Sequence, residues 1–582
     1  MAVQLLNAPE RCVDDALEGM AALHPGLYLI PNKRLIVERD RIIEGSRKRL
    51  ALVSGGGSGH EPFSAGYVGR GMLGGAVAGP VFTSPPTGLI ANAIATLGTD
   101  NPDGVLVIVF NYTGDRVNFG QAVERCKAAG FKVDMYISGD DCALTRLEGT
   151  AGRRGLCGTI FIFKIVGAMA EAGASLEEAL TACRKIGGSI GTIGVAASGC
   201  TLPGAQSPLF SVPQGKLELG LGVHGEAGAK TIKAGSAKEV VECLLNHMTR
   251  EDSASRLDLN KGDEVAVLVS NLGSVSQLEM GVITKEVTEQ LKARGVRPLR
   301  VYQGLVMTSL DMKGFHISIL QLVDPHWVAL LDEPTSAPSW PKRCVPLEDP
   351  LAPVKLPSFS LDISQKQMAN SYSLEDKTTC DAFRSCLEAV VKTVPKYEDM
   401  LNRLDTGCGD GDCGSTLLAG INALSGQLSG LPFSSPGRVL AIISDIANTS
   451  MGGTSGGLYS ILFTAAANSL LSTTSRRHHE VWTSALKVGL QAVSKYGGAS
   501  VGDRTMLDAL TPALETLESC EREEDLKIIL KAMSHAADEG AKKTACMKAR
   551  AGRASYVREE NVVGEDAGAR SVACVLQAMA MW

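Results

Sequence analysis

Three aspartates lie within eight residues of the 582-residue chain, at Asp405, Asp410 and Asp412, and Gly411 separates the last two. Carboxylates this close repel one another in a folded loop unless a cation offsets their charge. Carboxylate oxygens suit magnesium or calcium better than zinc or copper, and bound magnesium commonly keeps positions for substrate phosphates. An ordinary Asp-Gly turn is the alternative. From the residues alone, a metal–phosphate site and a turn are about equally supported.

Two glycine-rich segments of the first half contain histidines. Residues 55–60 end in His60 and lack the Gly-Lys-Ser/Thr ending of a P-loop, yet a glycine-rich turn can cradle a small oxygenated ligand through its amides. His224 lies in residues 220–225, which match the dinucleotide pattern Gly-x-Gly-x-x-Gly only weakly because no strand–helix–strand unit follows. A neutral imidazole in an open loop can act as a base or nucleophile; a structural histidine is the alternative.

Glycines and hydroxyls precede apolar helical segments in the C-terminal third. Residues 450–457 contain both, and Arg504 with Thr505 stands at another expected helix start. Such helix N-termini bind anions readily, although a simple capped loop explains the same pattern. Together with the aspartates, these segments favour a site for a nucleoside triphosphate.

The first half alternates predicted strands and helices that would position its loops. Strands are expected at 50–53, 105–110 and 132–138, with a helix at 118–129, and a second α/β unit is expected at 264–323. Sheets of this kind place ligands at the C-terminal ends of their strands. In the second unit, the expected elements are the strands 265–270 and 316–323 and the helix 285–294.

The second half reads as helical after a proline-rich break. Seven of the 24 prolines fall between residues 334 and 357, a density that favours an extended spacer. We therefore predict an α/β domain at 9–335, a linker at 336–372 and an all-helical domain without strands at 373–582. Its expected helices are 381–394, 416–428, 438–450, 457–471, 481–496, 525–549 and 570–581.

Composition excludes several classes of protein. A net charge of −6 argues against a nucleic-acid binder with a basic surface. No run of eighteen apolar residues predicts a transmembrane helix, and the N-terminus has no apolar core of a signal peptide. The fifteen cysteines include no Cys-x-x-Cys pair and read as reduced thiols of a cytosolic protein.

Taken together, these motifs resemble the dihydroxyacetone kinase family, and the match runs almost end to end. The resemblance implies a two-subdomain α/β substrate domain, a proline-rich linker and an eight-helix barrel that binds the nucleotide. It also implies a homodimer in which the helical domain of one subunit faces the substrate domain of the other. The motifs are residues 54–62, 111–115, 152–155 and 222–226 in the first half and 409–414, 451–456 and 552–556 in the second.

The resemblance also implies roles for the residues of the first half. His224 would bond to the ketone of dihydroxyacetone through a ring nitrogen and hold it as a hemiaminal. A covalent bond to a carbonyl would select short ketoses and aldoses over glycerol. Asp115 would accept the proton of the attacking hydroxyl, and His60 belongs with the catalytic residues. The substrate hydroxyls would be held by Gly57, Ser58, Gly59 and His60.

For the second half, the resemblance implies that Asp405, Asp410 and Asp412 bind two magnesium ions that bridge the phosphates of ATP. Positioning and charge neutralisation supply most of the catalysis in phosphoryl transfer. The implied nucleotide-binding residues are Asp412, Cys413, Gly414, Ser415, Thr454, Ser455, Gly456, Arg504, Thr505, Asp566, Ala567 and Gly568.

Within the family, the fused chain is most similar to the animal enzymes, which implies a second activity: splitting FAD into AMP and riboflavin cyclic 4',5'-phosphate with manganese or cobalt. Two positions depart from the family pattern. Phe110 stands where a lysine usually helps hold the substrate, and Ala567 replaces a proline. One alternative is therefore mainly FAD cleavage with a weakened kinase. A non-catalytic sensor of carbonyl ligands is another, although it would not need the three aspartates.

Overall fold

The computed structural model describes residues 4–43, 49–145, 152–225, 228–342, 372–520, 525–558 and 562–582. The chain divides into two compact units, Met1–Ala352 and Pro353–Trp582. Within the described ranges, no helix is long and apolar enough to cross a membrane.

The first unit contains two six-stranded sheets. The first has the order β1-β2-β4-β3-β5-β6, with β4, β3, β5 and β6 parallel to one another. Both central strands are buried along their whole length, as expected where helices cover both sides of a sheet: β5 is an apolar run, whereas β3 begins with apolar residues and ends in serine and glycine. The strands are β1 Leu27–Ile30, β2 Leu35–Glu38, β3 Ala51–Ser58, β4 Gly75–Val81, β5 Val105–Phe110 and β6 Val133–Ser138.

The second sheet has the order β11-β10-β12-β7-β8-β9. β10 runs parallel to β11, and β12 lies antiparallel between β10 and β7. The strands are β7 Ile190–Ala196, β8 Lys216–Leu219, β9 Lys230–Lys233, β10 Glu264–Asn271, β11 Arg297–Gly304 and β12 Gly314–Gln321.

Helices form layers around and between the two sheets. α2 and α3 pack on one face of the first sheet, and α6 and α7 pack on one face of the second. α4 and α5 share a core with strands of both sheets. The helices of this unit are α1 Cys12–Leu23, α2 Thr87–Gly98, α3 Thr113–Ala128, α4 Ile160–Glu171, α5 Leu176–Gly187, α6 Ala237–Met248, α7 Gln277–Ala293 and α8 His326–Asp332.

The described part of the second unit is helical and has no strands. Eight helices of 11 to 20 residues all contribute side chains to an apolar internal cavity of about 670 Å³, which makes the unit a barrel. The helices are α9 Lys377–Thr393, α10 Glu398–Asp405, α11 Cys413–Gln427, α12 Pro436–Ile446, α13 Gly453–Ser472, α14 His478–Gly497, α15 Leu507–Ser519, α16 Leu526–Lys543 and α17 Ala567–Met579.

The structure confirms the fold class and corrects several elements. The glycine-rich segment expected as a loop continues β3 to Ser58, because it pairs in parallel with β4 inside the sheet. The helix expected from residue 118 begins at Thr113, and the one expected to reach residue 549 ends at Lys543. In the second unit, α10 was not predicted, and α15 was anticipated only at its start near Arg504. In the first unit, the helices α1, α2, α4, α5, α6 and α8 were not predicted.

The proline-rich segment is only partly described. Its first residues pack on the first unit, since Ala337 is 6% exposed and the Ser339 N–H donates to the Gly66 carbonyl. Residues 343–371 of the predicted linker lie outside the described residues, and the limits 9–335, 336–372 and 373–582 stay a prediction.

Candidate functional site

The first candidate site begins where β3 ends. Gly57 has no room for a side chain, because a Cβ there would lie 2.6 Å from the Thr83 nitrogen. The Ser58 hydroxyl donates to the Gly79 carbonyl at 2.8 Å. The backbone at the end of β3 is therefore packed against the end of β4 and the turn that follows it. This packing fixes the position of His60, which comes two residues after Ser58.

His60 is 2% exposed, and its Nδ1 lies 3.0 Å from the carbonyl oxygen of Thr308. Because a carbonyl only accepts, Nδ1 carries the proton and Nε2 keeps its lone pair. Nε2 has no hydrogen-bond partner among the described residues. Burial, with a smaller effect of nearby His224, lowers the pKa of His60 to about 3. This ring is therefore neutral at physiological pH, and its Nε2 can accept a hydrogen bond from a ligand.

His224 is half-buried in the loop after β8 and is surrounded by aromatic rings. Its ring centre lies 4.9 Å from that of His60, 5.4 Å from that of Phe82 and 4.6 Å from that of Tyr112, each nearly perpendicular. The loop is anchored by the Ser309 hydroxyl, which donates to the Val223 carbonyl at 2.6 Å. Glu226, the end of the predicted motif, lies outside the described residues.

Asp115 is 7% exposed in the first turn of α3, one turn after Tyr112. Its Oδ1 has no hydrogen-bond partner within the described part of the chain. Burial raises the pKa of this carboxyl to about 6, and the Ser84 hydroxyl offsets part of that effect. A carboxyl that titrates near neutral pH is suited to proton transfer.

Phe110 faces the hydrophobic core. It is 2% exposed, and its ring centre lies 4.5 Å from that of Phe63 and 6.2 Å from that of Phe163. The residue that departs from the family pattern is thus held in an aromatic cluster by packing.

The second candidate site is the acidic loop of the helical unit. One oxygen from each of Asp405, Asp410 and Asp412 lies within 4.8 Å of the other two. Asp405 Oδ2 also accepts hydrogen bonds from the N–H groups of Gly411 and Asp412, at 2.9 and 3.1 Å. A Cβ at Gly409 would lie 2.3 Å from Asp405 Oδ1, so a larger residue there would displace the Asp405 carboxylate. The spacing and hardness of these oxygens fit a divalent cation such as magnesium.

The first turn of α11 is held by α10. The Asn402 Oδ1 accepts from the N–H groups of Gly414 and Ser415, at 2.7 and 3.1 Å. The Ser415 hydroxyl donates to Glu398 at 2.9 Å. These contacts connect the predicted nucleotide segment, which begins at Cys413, rigidly to the helix that carries Asp405.

The glycine-rich start of α13 is open on one side. Gly452 and Gly453 have φ angles of +67° and +57°, and a Cβ at either would meet no atom within 4 Å. Thr454 is exposed, whereas Gly456 is buried. A π-helical turn, Ala447–Met451, precedes them, and such turns are frequent at functional sites.

Arg504 joins the remaining predicted segments. Its guanidinium lies 3.7 Å from the Cys408 sulfur and 3.9 Å from Asp566 Oδ2, and donates to the Gly564 carbonyl at 3.1 Å. Asp566 caps α17 by accepting from the Ala569 N–H at 2.8 Å, and burial raises the pKa of its carboxyl to about 6. Arg504 therefore contacts both the acidic loop, at Cys408, and the segment that leads to Ala567 and Gly568, at Asp566. Thr505 is the next residue in the chain.

Sequence reasoning missed several residues of these sites. Phe82 and Ser309 carry no motif, because their contacts join segments that are distant in the chain. Asn402 and Glu398 precede Asp405 on a helix that was not predicted. Tyr112 could have been predicted from the sequence, because it lies inside the motif at 111–115.

Comparisons with known proteins cover almost the whole chain. Models described as Dak1 domain and DAK2 domain match residues 18–339 and 407–581. The chain is 40% identical to the Homo sapiens protein named triokinase/FMN cyclase over 99% of this chain and 98% of that protein. The crystal structure of the dihydroxyacetone kinase from C. freundii in complex with AMP-PNP and Mg2+ is 32% identical, has a TM-score of 0.71 and covers 100% of both chains. A dihydroxyacetone kinase operon co-activator is 30% identical, has a TM-score of 0.52 and covers 56% of this chain and 98% of its own.

Proposed function

Because the chain belongs to the dihydroxyacetone kinase family, we propose that it transfers the terminal phosphate of ATP to dihydroxyacetone and glyceraldehyde. The observation that carries this proposal is that one chain has both kinds of site. His224 stands among half-buried aromatic side chains beside a buried, neutral His60. The helical unit presents three carboxylates spaced for a cation.

The tether on His224 needs a ring nitrogen and a carbonyl carbon. The nitrogen bonds to the carbon, the electron pair of the C=O bond moves to the oxygen, the oxygen takes up a proton and the ring loses its N–H proton. Nε2 of His60 can accept a hydrogen bond from a hydroxyl of the substrate in this exchange, because its Nδ1 donates to Thr308. Asp115 is the base for the hydroxyl that receives the phosphate, and Gly57, Ser58 and Gly59 hold the substrate.

The three aspartates Asp405, Asp410 and Asp412 would hold Mg2+, which supplies charge neutralisation for the phosphates of ATP when bound. The chain's own groups fix the loop: the amides of Gly411 and Asp412 hold Asp405 in place. The nucleotide-binding residues proposed are those of the first turns of α11 and α13, Arg504 with Thr505, and the start of α17.

A second activity is proposed at the nucleotide site, the splitting of FAD into AMP and riboflavin cyclic 4',5'-phosphate with Mn2+ or Co2+. The name of the human relative, triokinase/FMN cyclase, favours it. A hydroxyl of the ribityl chain attacks the phosphorus next to it and AMP leaves. This reaction does not use His224, so it would persist if Phe110 has weakened the kinase.

A non-catalytic role as a carbonyl-ligand sensor is the alternative of another class. The co-activator covers only 56% of this chain, and a sensor would have no use for carboxylates arranged for a cation. We further propose a homodimer in the cytosol.

The test compares two turnovers in the purified full chain: Mg2+, ATP and dihydroxyacetone, and Mn2+ with FAD. Asp410→Ala should abolish both, because it removes one of three cation ligands. Asp399→Ala removes an exposed carboxylate from the neighbouring helix and should leave both unchanged. Full turnover in Asp410→Ala would overturn the metal assignment, and no turnover of either substrate pair in the wild type would overturn the enzyme function.

A further inference from the structure

Phe82 touches both histidines of the first site although it has no role in the motif-based interpretation. Its ring stacks on His60 with centroids 5.0 Å apart and planes at 15°, and meets His224 edge-on at 5.4 Å and 86°. We propose that Phe82 is a positioning residue that sets the perpendicular arrangement of His60 and His224, an inference that rests on the proposed function of His224.

The backbone of Phe82 adopts an unfavourable conformation. Its φ angle is +54°, a left-handed conformation that is unfavourable for a bulky residue and readily adopted by glycine. The N–H of Phe82 donates to the Ser58 carbonyl at 2.9 Å. That hydrogen bond would form with any residue, so it explains the turn and leaves the aromatic ring unexplained.

Neighbouring residues make space for the ring. A Cβ at Gly59 would lie 2.7 Å from the Phe82 ring, and a Cβ at Gly57 would lie 2.9 Å from the Phe82 backbone. Two of the glycines that the sequence singled out as a possible ligand cradle are therefore required for the approach of Phe82. The ring occupies the space beside the strand end and presses on His60 from one side.

The other side of His60 is held by residues 308–310. Thr308 contributes the carbonyl that fixes Nδ1 of His60 at 3.0 Å, and the N–H of Leu310 donates to the Gly59 carbonyl at 2.9 Å. Ser309 donates to Val223, which precedes His224. One short segment thus connects the histidine loop that follows β3 with the one that follows β8, and Phe82 completes the enclosure.

The fixed position of His60 between Phe82 and residues 308–310 affects how readily the hemiaminal forms on His224. Bond formation needs the ring nitrogen of His224 and the carbonyl carbon aligned, with the substrate oriented by a hydrogen bond to His60. A misplacement of about 1 Å can cost roughly a hundredfold in rate. Without the Phe82 ring, His60 keeps its hydrogen bond to Thr308 but can tilt into the vacated space. The tether should then form less often although the fold survives.

The experiment uses the full chain with Phe82→Leu, Phe82→Gly and Phe82→Tyr, and dihydroxyacetone labelled with 13C at its carbonyl. NMR measures the fraction of carbonyl carbon converted to hemiaminal, kinetics give kcat and KM, and thermal unfolding gives stability. Phe131→Leu is the control, because it truncates a partly buried phenylalanine that packs on the core cluster of α2 and α3.

Phe82→Leu and Phe82→Gly should lower the hemiaminal fraction and kcat/KM at least about tenfold. The glycine variant should unfold at a temperature no lower than that of the leucine variant, because its backbone strain is relieved. Phe82→Tyr should restore both readouts to near wild type, and Phe131→Leu should change neither. Wild-type hemiaminal levels in Phe82→Gly would overturn the proposal for Phe82 alone, whereas no hemiaminal in the wild type would overturn it together with the tether on His224.

Discussion

Asp115 is the residue in which burial has the clearest consequence for chemistry. It stands at the start of α3, where a helix N-terminus favours a negative charge, yet its pKa is raised to about 6 because burial outweighs this. The same desolvation that costs stability gives the chain a carboxyl that changes charge close to neutral pH. A surface aspartate would be fully ionised there and a weaker base.

Asp115→Asn should therefore remove a pH dependence of stability. The folded-state pKa of Asp115 is raised from an ordinary value of 3.8 to about 6, so its stabilising contribution is present below about pH 4 and lost as the pH rises through about 6. Relative to wild type, the variant should gain roughly 2–3 kcal/mol in unfolding free energy between pH 4 and pH 8. Urea titrations at several pH values measure this.

The control for that titration is Glu124→Gln, an exposed carboxylate on the same helix. This variant should not show the gain expected of Asp115→Asn, because its side chain is exposed. If Asp115 is the base, as proposed, kcat/KM of the wild type for dihydroxyacetone should rise as the pH increases through about 6, because the carboxyl must be ionised to accept a proton. If the difference in unfolding free energy between Asp115→Asn and wild type did not change with pH, the raised pKa of Asp115 would be contradicted.

Residues with a chemical motif were predictable, and residues that position them were not. His60 and His224 stand in glycine-rich segments, so their spacing was informative. Phe82 and Ser309 act through contacts across the fold, with Ser309 lying 86 residues from Val223. No local pattern carries such a contact.

At the scale of elements, glycine decides how closely α13 approaches the turn before it. A Cβ at Gly456 would lie 2.8 Å from the Ala447 carbonyl oxygen, whereas a Cβ at Gly457 would meet nothing within 4 Å. These adjacent glycines on one helix offer a matched pair, since alanine favours the helix equally at both.

Gly456→Ala should destabilise the chain by about 1–3 kcal/mol through overpacking and raise the KM for ATP, because the helix start must shift. Gly457→Ala should stabilise it by about 0.5–1 kcal/mol and leave KM unchanged. Thermal unfolding and initial rates at varied ATP measure both effects. Equal stability and equal KM for ATP in the two variants would show that α13 tolerates the displacement caused by a Cβ at Gly456.

Elements with a strong periodic pattern were predictable, whereas those with conflicting signals were missed or, like α15, anticipated only at their start. α15 contains Pro512 in its interior, a residue that normally ends a helix. α10 has eight residues, too few for a clear period. The glycines of β3 suggested a loop, but pairing with β4 and burial in the sheet keep them extended.

At the scale of the whole molecule, the proposed kinase activity depends on residues of both units, and the proposed FAD cleavage depends on the second unit alone. The tether residues lie in the first unit, and the aspartates with the nucleotide segments lie in the second. A change confined to the tether should therefore separate the activities.

His224→Ala should lower phosphorylation of dihydroxyacetone by roughly a hundredfold or more and keep FAD cleavage within about twofold of wild type, since the latter reaction uses no imidazole tether. His326→Ala is the control, because that side chain is 87% exposed in the same unit. Paired assays with Mg2+ and Mn2+ measure both activities. If His224→Ala lost FAD cleavage as well as phosphorylation of dihydroxyacetone, His224 would not be specific to the kinase reaction.

The order of motifs along the chain determined the family, the two kinds of domain and most of the residues that could do chemistry. These properties follow from residue types at short spacing, which local geometry translates directly into turns, helix starts and clusters of ligands. Only the tertiary structure decided which rings surround His224, that Phe110 is packed in the core, and how far burial moves the pKa values of His60 and Asp115. Those properties depend on distances between segments far apart in the chain and on exclusion of water, and no local pattern encodes either.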